Sequence, residues 1–98
     1  MKEELIRTEM LLGSDALERL QHAHVAVFGI GGVGGHVVEV LARSGIGELT
    51  LIDSDQVNLS NLNRQIIATH DTIGQNKVDA AAARVHSINP DCTLHTFP

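Results

Sequence analysis

Apolar residues change their spacing along this chain, and each change marks an element. From Leu5 to Leu20 apolar and polar residues mix in a lead-in, where Ser14 is placed to cap a short helix carrying Ala16, Leu17 and Leu20 on one side. We read residues 1–22 as a helical packing arm. Val25-Ala26-Val27-Phe28 is a short, β-rich apolar run that stops abruptly at glycines, the pattern of a buried parallel strand. From Val33 to Ser44 the apolar positions Val33, Val37, Val40 and Leu41 fall at helical spacing, with Glu39 and Arg43 one turn apart on the opposite face. Gly45 stands where a left-handed C-terminal cap is wanted. Leu49-Thr50-Leu51-Ile52 then gives a second buried strand that closes on Asp53, completing a βαβ unit.

Between Ser54 and Gly74 the periodicity fails, and an unpatterned stretch of that length inside a compact domain points to a functional loop. Helical spacing returns at Val78, Ala81, Ala82, Val85 and Ile88 and ends at Asn89-Pro90, after which Cys92 to Phe97 reads as a third strand. The expected fold is α/β, the first βαβαβ half of a Rossmann-like, mostly parallel sheet over residues 23–98. In the strand order common to dinucleotide folds, strand one would be left as an uncovered edge where a fourth strand should pair, so we expect a truncated domain.

Composition narrows the class. With 98 residues, 43% of them hydrophobic and 19% charged, the chain reads as one globular domain at most, and so short a chain buries little of its surface. We therefore expect a fragment or a dimer. The longest apolar stretch, Val25 to Val33, is broken by glycines and falls far short of the roughly 20 residues that cross a bilayer. Met1-Lys2-Glu3-Glu4 is acidic where a signal peptide would be net positive, so the expected compartment is the cytoplasm. Cys92, the only cysteine, reads as a structural buried thiol. A formal net charge of -5 lacks the basic footprint of a nucleic-acid binder, so any nucleic-acid partner would have to meet basic surface supplied elsewhere.

The chemistry starts at Gly29-Ile30-Gly31-Gly32-Val33-Gly34, a GxGxxG motif set between a predicted strand and a predicted helix. Gly29 permits the tight turn, Gly31 lets backbone approach a phosphate, and Gly34 lets helix and strand pack closely. The helix start offers unpaired N–H groups and partial positive charge to an anion. Asp53, about twenty residues past the glycines, is placed to accept hydrogen bonds from ribose hydroxyls, with Asp55 a turn residue beside it. These features fit NAD as well as ATP. Arg64 and Lys77 shift the balance, because a triphosphate about to lose pyrophosphate needs cations over its terminal phosphates.

The run Asp53-Ser-Asp-Gln-Val-Asn-Leu-Ser-Asn-Leu-Asn-Arg-Gln65, with Gly74-Gln-Asn-Lys77 and Ile88-Asn-Pro90, resembles the nucleotide domain of the MoeB/ThiF/ubiquitin-activating family. The likeness covers nearly the whole chain. It implies that Asp53 holds the ribose, that Asn61 and Arg64 meet the phosphates, and that Lys77 stabilises the triphosphate. Arg7-Thr-Glu-Met-Leu-Leu-Gly13, Phe28 to Gly34 and Leu41-Ala-Arg-Ser-Gly-Ile-Gly47 look most like the tRNA threonylcarbamoyladenosine dehydratases of that family. Arg7 aligns loosely with an arginine that some relatives send into the partner subunit's ATP site, which goes with a homodimer. The resemblance further implies adenylation of a carboxylate with ATP and magnesium, the magnesium-binding aspartate following a fourth strand outside this chain. This chain alone would then bind nucleotide poorly and not turn over. In the dehydratases the threonyl carboxylate of a modified adenosine is activated, and ring closure expels AMP.

Three other readings compete. One is activation of the C-terminal glycine of a ubiquitin-like sulfur-carrier protein; another is a non-catalytic NAD-sensing module; the last is a pseudoenzyme that only dimerises. The histidines give no metal set by spacing: His22 and His24 share a strand entrance, His70 lies in the loop, and His36, His86 and His95 are scattered over other elements.

Overall fold

Alternating apolar residues pair in register across neighbouring strands and so build a sheet with one dry face. The computed structural model describes residues 3–98. A 3-10 turn, Glu3–Leu5, leads into helices α1 (Ile6–Leu12) and α2 (Ser14–His22), then strand β1 (His24–Phe28), helix α3 (Gly32–Ser44) and strand β2 (Glu48–Ile52). A second 3-10 turn, Leu59–Asn61, helix α4 (Lys77–Ile88) and strand β3 (Thr93–Phe97) follow. The order in the sheet is β1-β2-β3 and both pairings are parallel, as the βαβαβ reading requires. Val25 stands opposite Leu49, and Leu49 opposite Leu94, while Val27 stands opposite Leu51.

The strands were expected to be buried on both sides, and here the structure differs. Val27, Leu49 and Leu51 are buried, whereas His24, Ala26, Phe28, Thr93, His95 and Phe97 are exposed. Phe28 keeps 77% of its surface in solvent. Burial alternates because α3 and α4 lie against a single face of the sheet, sharing one core with it. Helix α3 also turns a different side inward from the one its valines suggest. Gly35, Val38 and Ala42 are buried, while Val33, Val37 and Val40 are 81%, 40% and 63% exposed. Its apolar residues occupy two faces, and the small Gly35 and Ala42 mark the one that comes close to the sheet. Helix α4 follows its pattern: Val78, Ala81 and Val85 are buried, with Ala82 and Ile88 packed at the margin.

The N-terminal arm is two helices rather than one. Ser14 is the first residue of α2, the cap position falls to Gly13, and no side chain caps the helix. Leu17 is fully buried but Ala16 is exposed, so the expected apolar side narrows to Leu17 with Leu20 at its edge. The arm grips the α3–β2 connection. Gly45 caps α3 in the left-handed region (φ 92°), as expected, and Leu5 packs where its side chain would be. The Gly47 amide donates to the Leu20 carbonyl at 3.2 Å. Cys92 is buried in the core, and that burial pushes its thiol pKa up, in keeping with an inert structural thiol.

Glu39 joins α3 to α4. It accepts from Arg43 Nε at 2.8 Å, the pairing its spacing suggests, and also from Arg84 Nη2 at 2.9 Å across the helix pair. The Arg84 hydrogen bond, helped by Arg43 and opposed by burial, holds the Glu39 carboxyl below its ordinary value. A carboxyl lowered in the folded chain adds stability above its unfolded pKa and loses it as pH falls through the folded one. Glu39→Gln should therefore cost about 1 kcal/mol near pH ~7 and progressively less as the pH is lowered through the acid range, measured by urea unfolding over a pH series.

Candidate nucleotide site

At the end of β1 the chain must reverse within a few residues and start a helix. Gly29 makes that reversal with φ 86°, a conformation that strains any side chain, and its amide donates to the Ile52 carbonyl at 2.8 Å. Gly34 faces it from the first turn of α3, where a Cβ would collide with the Gly29 carbonyl oxygen and lie 3.7 Å from Val27 Cγ1. Helix and strand can approach this closely only over bare backbone, as the motif predicts. Gly31 is the N-cap of α3 and Gly32 its first residue, and no side chain caps the helix. The first intrahelical bond runs from the Gly35 amide to the Gly31 carbonyl at 3.0 Å. The amides before it and the positive end of the helix dipole form an anion-binding start.

Asp53 does come to the glycine turn. Its Oδ2 accepts from the Ile30 amide at 2.7 Å, and its Oδ1 accepts from the Asp55 amide at 2.8 Å. The carboxylate thus already fixes the loop, and its remaining lone pairs are what it has for a ribose. The Asp55 carbonyl in turn accepts from the Lys77 amide at 2.9 Å, which ties the start of α4 to the end of β2.

The unpatterned stretch is anchored at both ends. The Val57 amide donates to the Gln75 carbonyl at 2.8 Å, the Gly74 amide to the Val57 carbonyl at 2.9 Å, and Gln56 forms an antiparallel bridge with Asn76. Val57, Ile67 and Ala68 give it a share of the core. Asn61 is buried, and its Oδ1 accepts from the Asn58 amide at 2.8 Å in a reciprocal cap with Asn58. Its carbonyl end shapes the loop, a use that its place in the motif does not disclose.

Arg64 is exposed and donates from Nη1 to the Ser60 carbonyl at 2.9 Å and to Asn63 Oδ1 at 3.1 Å. Those bonds set the guanidinium's direction and leave Nε and Nη2 without a protein acceptor among the described residues. Lys77 is 7% exposed and has no ion-pair partner among the described residues. Its stem is packed while its Nζ is not among the buried unpartnered atoms, so the ammonium is the end that can meet an anion.

Gln65 was not singled out from the sequence, although it follows Arg64 directly. Its side chain lies against the glycine turn, with Nε2 3.0 Å from where a Gly31 Cβ would be, and its Oε1 is buried without a hydrogen-bond partner. The glycine turn, Asp53, Gln65 and Lys77 therefore connect through named contacts. Arg7 does not join them: it is exposed on α1, which packs on the first 3-10 turn and α2. A bare helix start and a lysine without an ion pair suit a polyphosphate nucleotide, whereas the Gln65 amide oxygen, an acceptor, can meet only a donor such as a hydroxyl or amino group. A separate concavity, lined by Leu5, Gln21, Ala42, Gly47 and Asn89, holds none of these residues.

The sequence profile of the ThiF family matches residues 5–98. The tRNA threonylcarbamoyladenosine dehydratase of Haemophilus influenzae is 57% identical over 81 residues, which are 83% of this chain and 31% of that relative. Ubiquitin-like modifier-activating enzyme 5 of Bombyx mori is 48% identical over 82% of this chain and 20% of its own length. The crystal structure of the Escherichia coli tRNA N6-threonylcarbamoyladenosine dehydratase, TcdA, in complex with ATP superimposes with a TM-score of 0.95 at 44% identity. It is matched over 97% of this chain and 39% of its own, so the chain spans about a third of the dehydratases it resembles. No described helix is long and apolar enough to cross a membrane. By sequence and by its Rossmann-like α/β fold, the chain belongs to the ThiF family.

Proposed function

We propose that this chain supplies the nucleotide-holding half of an ATP-dependent enzyme that adenylates a carboxylate, acting in the cytoplasm on threonylcarbamoyladenosine in tRNA. The observation that carries the proposal is Lys77, a buried lysine with no ion pair among the described residues, hydrogen-bonded through its backbone to the carbonyl of Asp55. An NAD pyrophosphate is served by helix amides, whereas Lys77 and the open N–H groups of Arg64 suit the added charge of a triphosphate. In this reading the amides of Gly31 and Gly32 face phosphate, Asp53 accepts from the ribose, and Asn61 holds the loop that carries Arg64. Magnesium entering with ATP would add positive charge over the same phosphates. The carboxylate oxygen displaces pyrophosphate from the α-phosphate, and ring closure then releases AMP.

The dehydratase reading is supported by the Haemophilus influenzae relative, more similar to this chain than the modifier-activating enzyme, which favours a ubiquitin-like carrier as the second reading. The partner in assembly is a second copy of the chain. Val33, Val37 and Val40 on α3 and Met10 and Leu11 on α1 present apolar surface for it, and Arg7 lies on the same arm as Met10 and Leu11.

Lys77→Met and Arg64→Ala should each weaken ATP binding by about tenfold or more while changing AMP binding little, because AMP lacks the phosphates they serve. Calorimetric titration of both nucleotides checks this. Equal losses would remove the phosphate assignment, and selective NAD binding that ignores both changes would favour the sensing module. For the reaction, AMP release by the full-length parent enzyme is measured with ATP, magnesium and either threonylcarbamoyl-modified tRNA or a ubiquitin-like carrier protein. The expected result is AMP with the tRNA alone; AMP or acyl-adenylate with the carrier alone would move the proposal to the second reading.

A further inference from the structure

Three side chains outside the nucleotide site converge on the bare face of the sheet. Register puts His24 opposite Glu48 and His95 opposite Thr50, so these side chains rise from adjacent strands on the face that α3 and α4 leave open. The sequence reading set His95 apart from the strand-entrance histidines, because pairing distant strands is invisible to spacing. In the fold the two imidazole rings of His24 and His95 lie 5.7 Å apart. Glu48 sits between them: its Oε2 is 2.6 Å from His95 Nε2 and its Oε1 is 3.8 Å from His24 Nδ1. One ligand atom from each residue lies within 4.8 Å of the other two.

The second nitrogen of His24 is also engaged. Its Nε2 lies 2.6 Å from Thr50 Oγ1, and with the proton on Nε2 donated to that hydroxyl, Nδ1 presents its lone pair toward Glu48 and His95. A hydrogen bond at the far nitrogen is how proteins orient histidine ligands.

We infer that His24, Glu48 and His95 form a binding site for a divalent transition metal of the zinc type. Two imidazole nitrogens and one carboxylate oxygen are the donors such an ion accepts, whereas magnesium and calcium take oxygen ligands. The side chains are 49%, 37% and 45% exposed, so they can draw inward onto an ion about 2.0–2.2 Å from each donor and leave a fourth position to water. The site is anchored on three strands at once, and His24 and Glu48 open their strands at the end opposite the glycine turn. A bound ion would staple β1, β2 and β3 together without entering the nucleotide site.

The test is a zinc titration of the full chain by calorimetry, with His24→Ala, His95→Ala and Glu48→Gln as site variants and His22→Ala and His36→Ala as controls. The expected result is one equivalent bound, weakened at least about tenfold by each site variant and unchanged by the controls. Cobalt(II) in place of zinc adds a readout on the unmutated chain, since nitrogen and carboxylate ligation at low coordination number gives far stronger visible absorption than the aqueous ion. Unchanged affinity in the site variants, equal loss in the controls, or cobalt absorption like that of the aqueous ion would overturn the inference.

Discussion

The hydrogen bond from the Ile30 amide to Asp53 Oδ2, 2.7 Å long, is the contact on which the rest of the site depends. It joins the turn after β1 to the end of β2, and the other oxygen of the same carboxylate holds the Asp55 amide. From Asp55 the connection continues through a backbone bond to Lys77 and so to α4. A single carboxylate thereby fixes where a helix start, a loop and a buried lysine stand relative to one another. A hydrogen bond to a charged group, roughly 1.5–3 kcal/mol, is strong enough to hold a loop against the entropy of a residue or two.

That arrangement is possible because parallel strands bring their C-terminal ends to one edge. The absence of a side chain at Gly34 lets α3 begin against the Gly29 carbonyl, which places the positive end of the helix at the end of β1. The chain carries a formal charge of -5, yet this edge holds a helix N-terminus and, through the bond from its amide to the Asp55 carbonyl, the start of α4 at Lys77. Attraction for an anion is therefore local. It comes from how a few positive groups are positioned and not from the charge of the chain as a whole.

Much of this was legible in the sequence, and what was missed shares one cause. The strands at Val25, Leu49 and Leu94, the left-handed cap at Gly45, the buried Cys92 and the start of a helix at Lys77 are set by local pattern and appear where expected. Asp53 reached the glycine turn because the motif spacing encodes a βαβ unit. Facts that depend on a distant partner were hidden. Spacing could not say which apolar face of α3 meets the sheet: of the positions at helical spacing, Leu41 packs on the core while Val33, Val37 and Val40 lie outward. Nor could it show that Gln65 folds back on Gly31, that Arg84 joins Glu39, or that His24 and His95 flank Glu48. Ser14 failed for a smaller reason: Gly13, with φ 86°, had already taken the cap position.

The central claim is that a nucleotide is held at the edge organised by Asp53. An ATP titration followed by two-dimensional amide NMR tests it residue by residue. The account predicts the largest shifts at the amides of Ile30 to Val33, at Asp55 and at Lys77, with those of His24, Glu48 and His95 at the far end of the strands unmoved. Shifts centred away from the glycine turn, or none at saturating ATP, would contradict it.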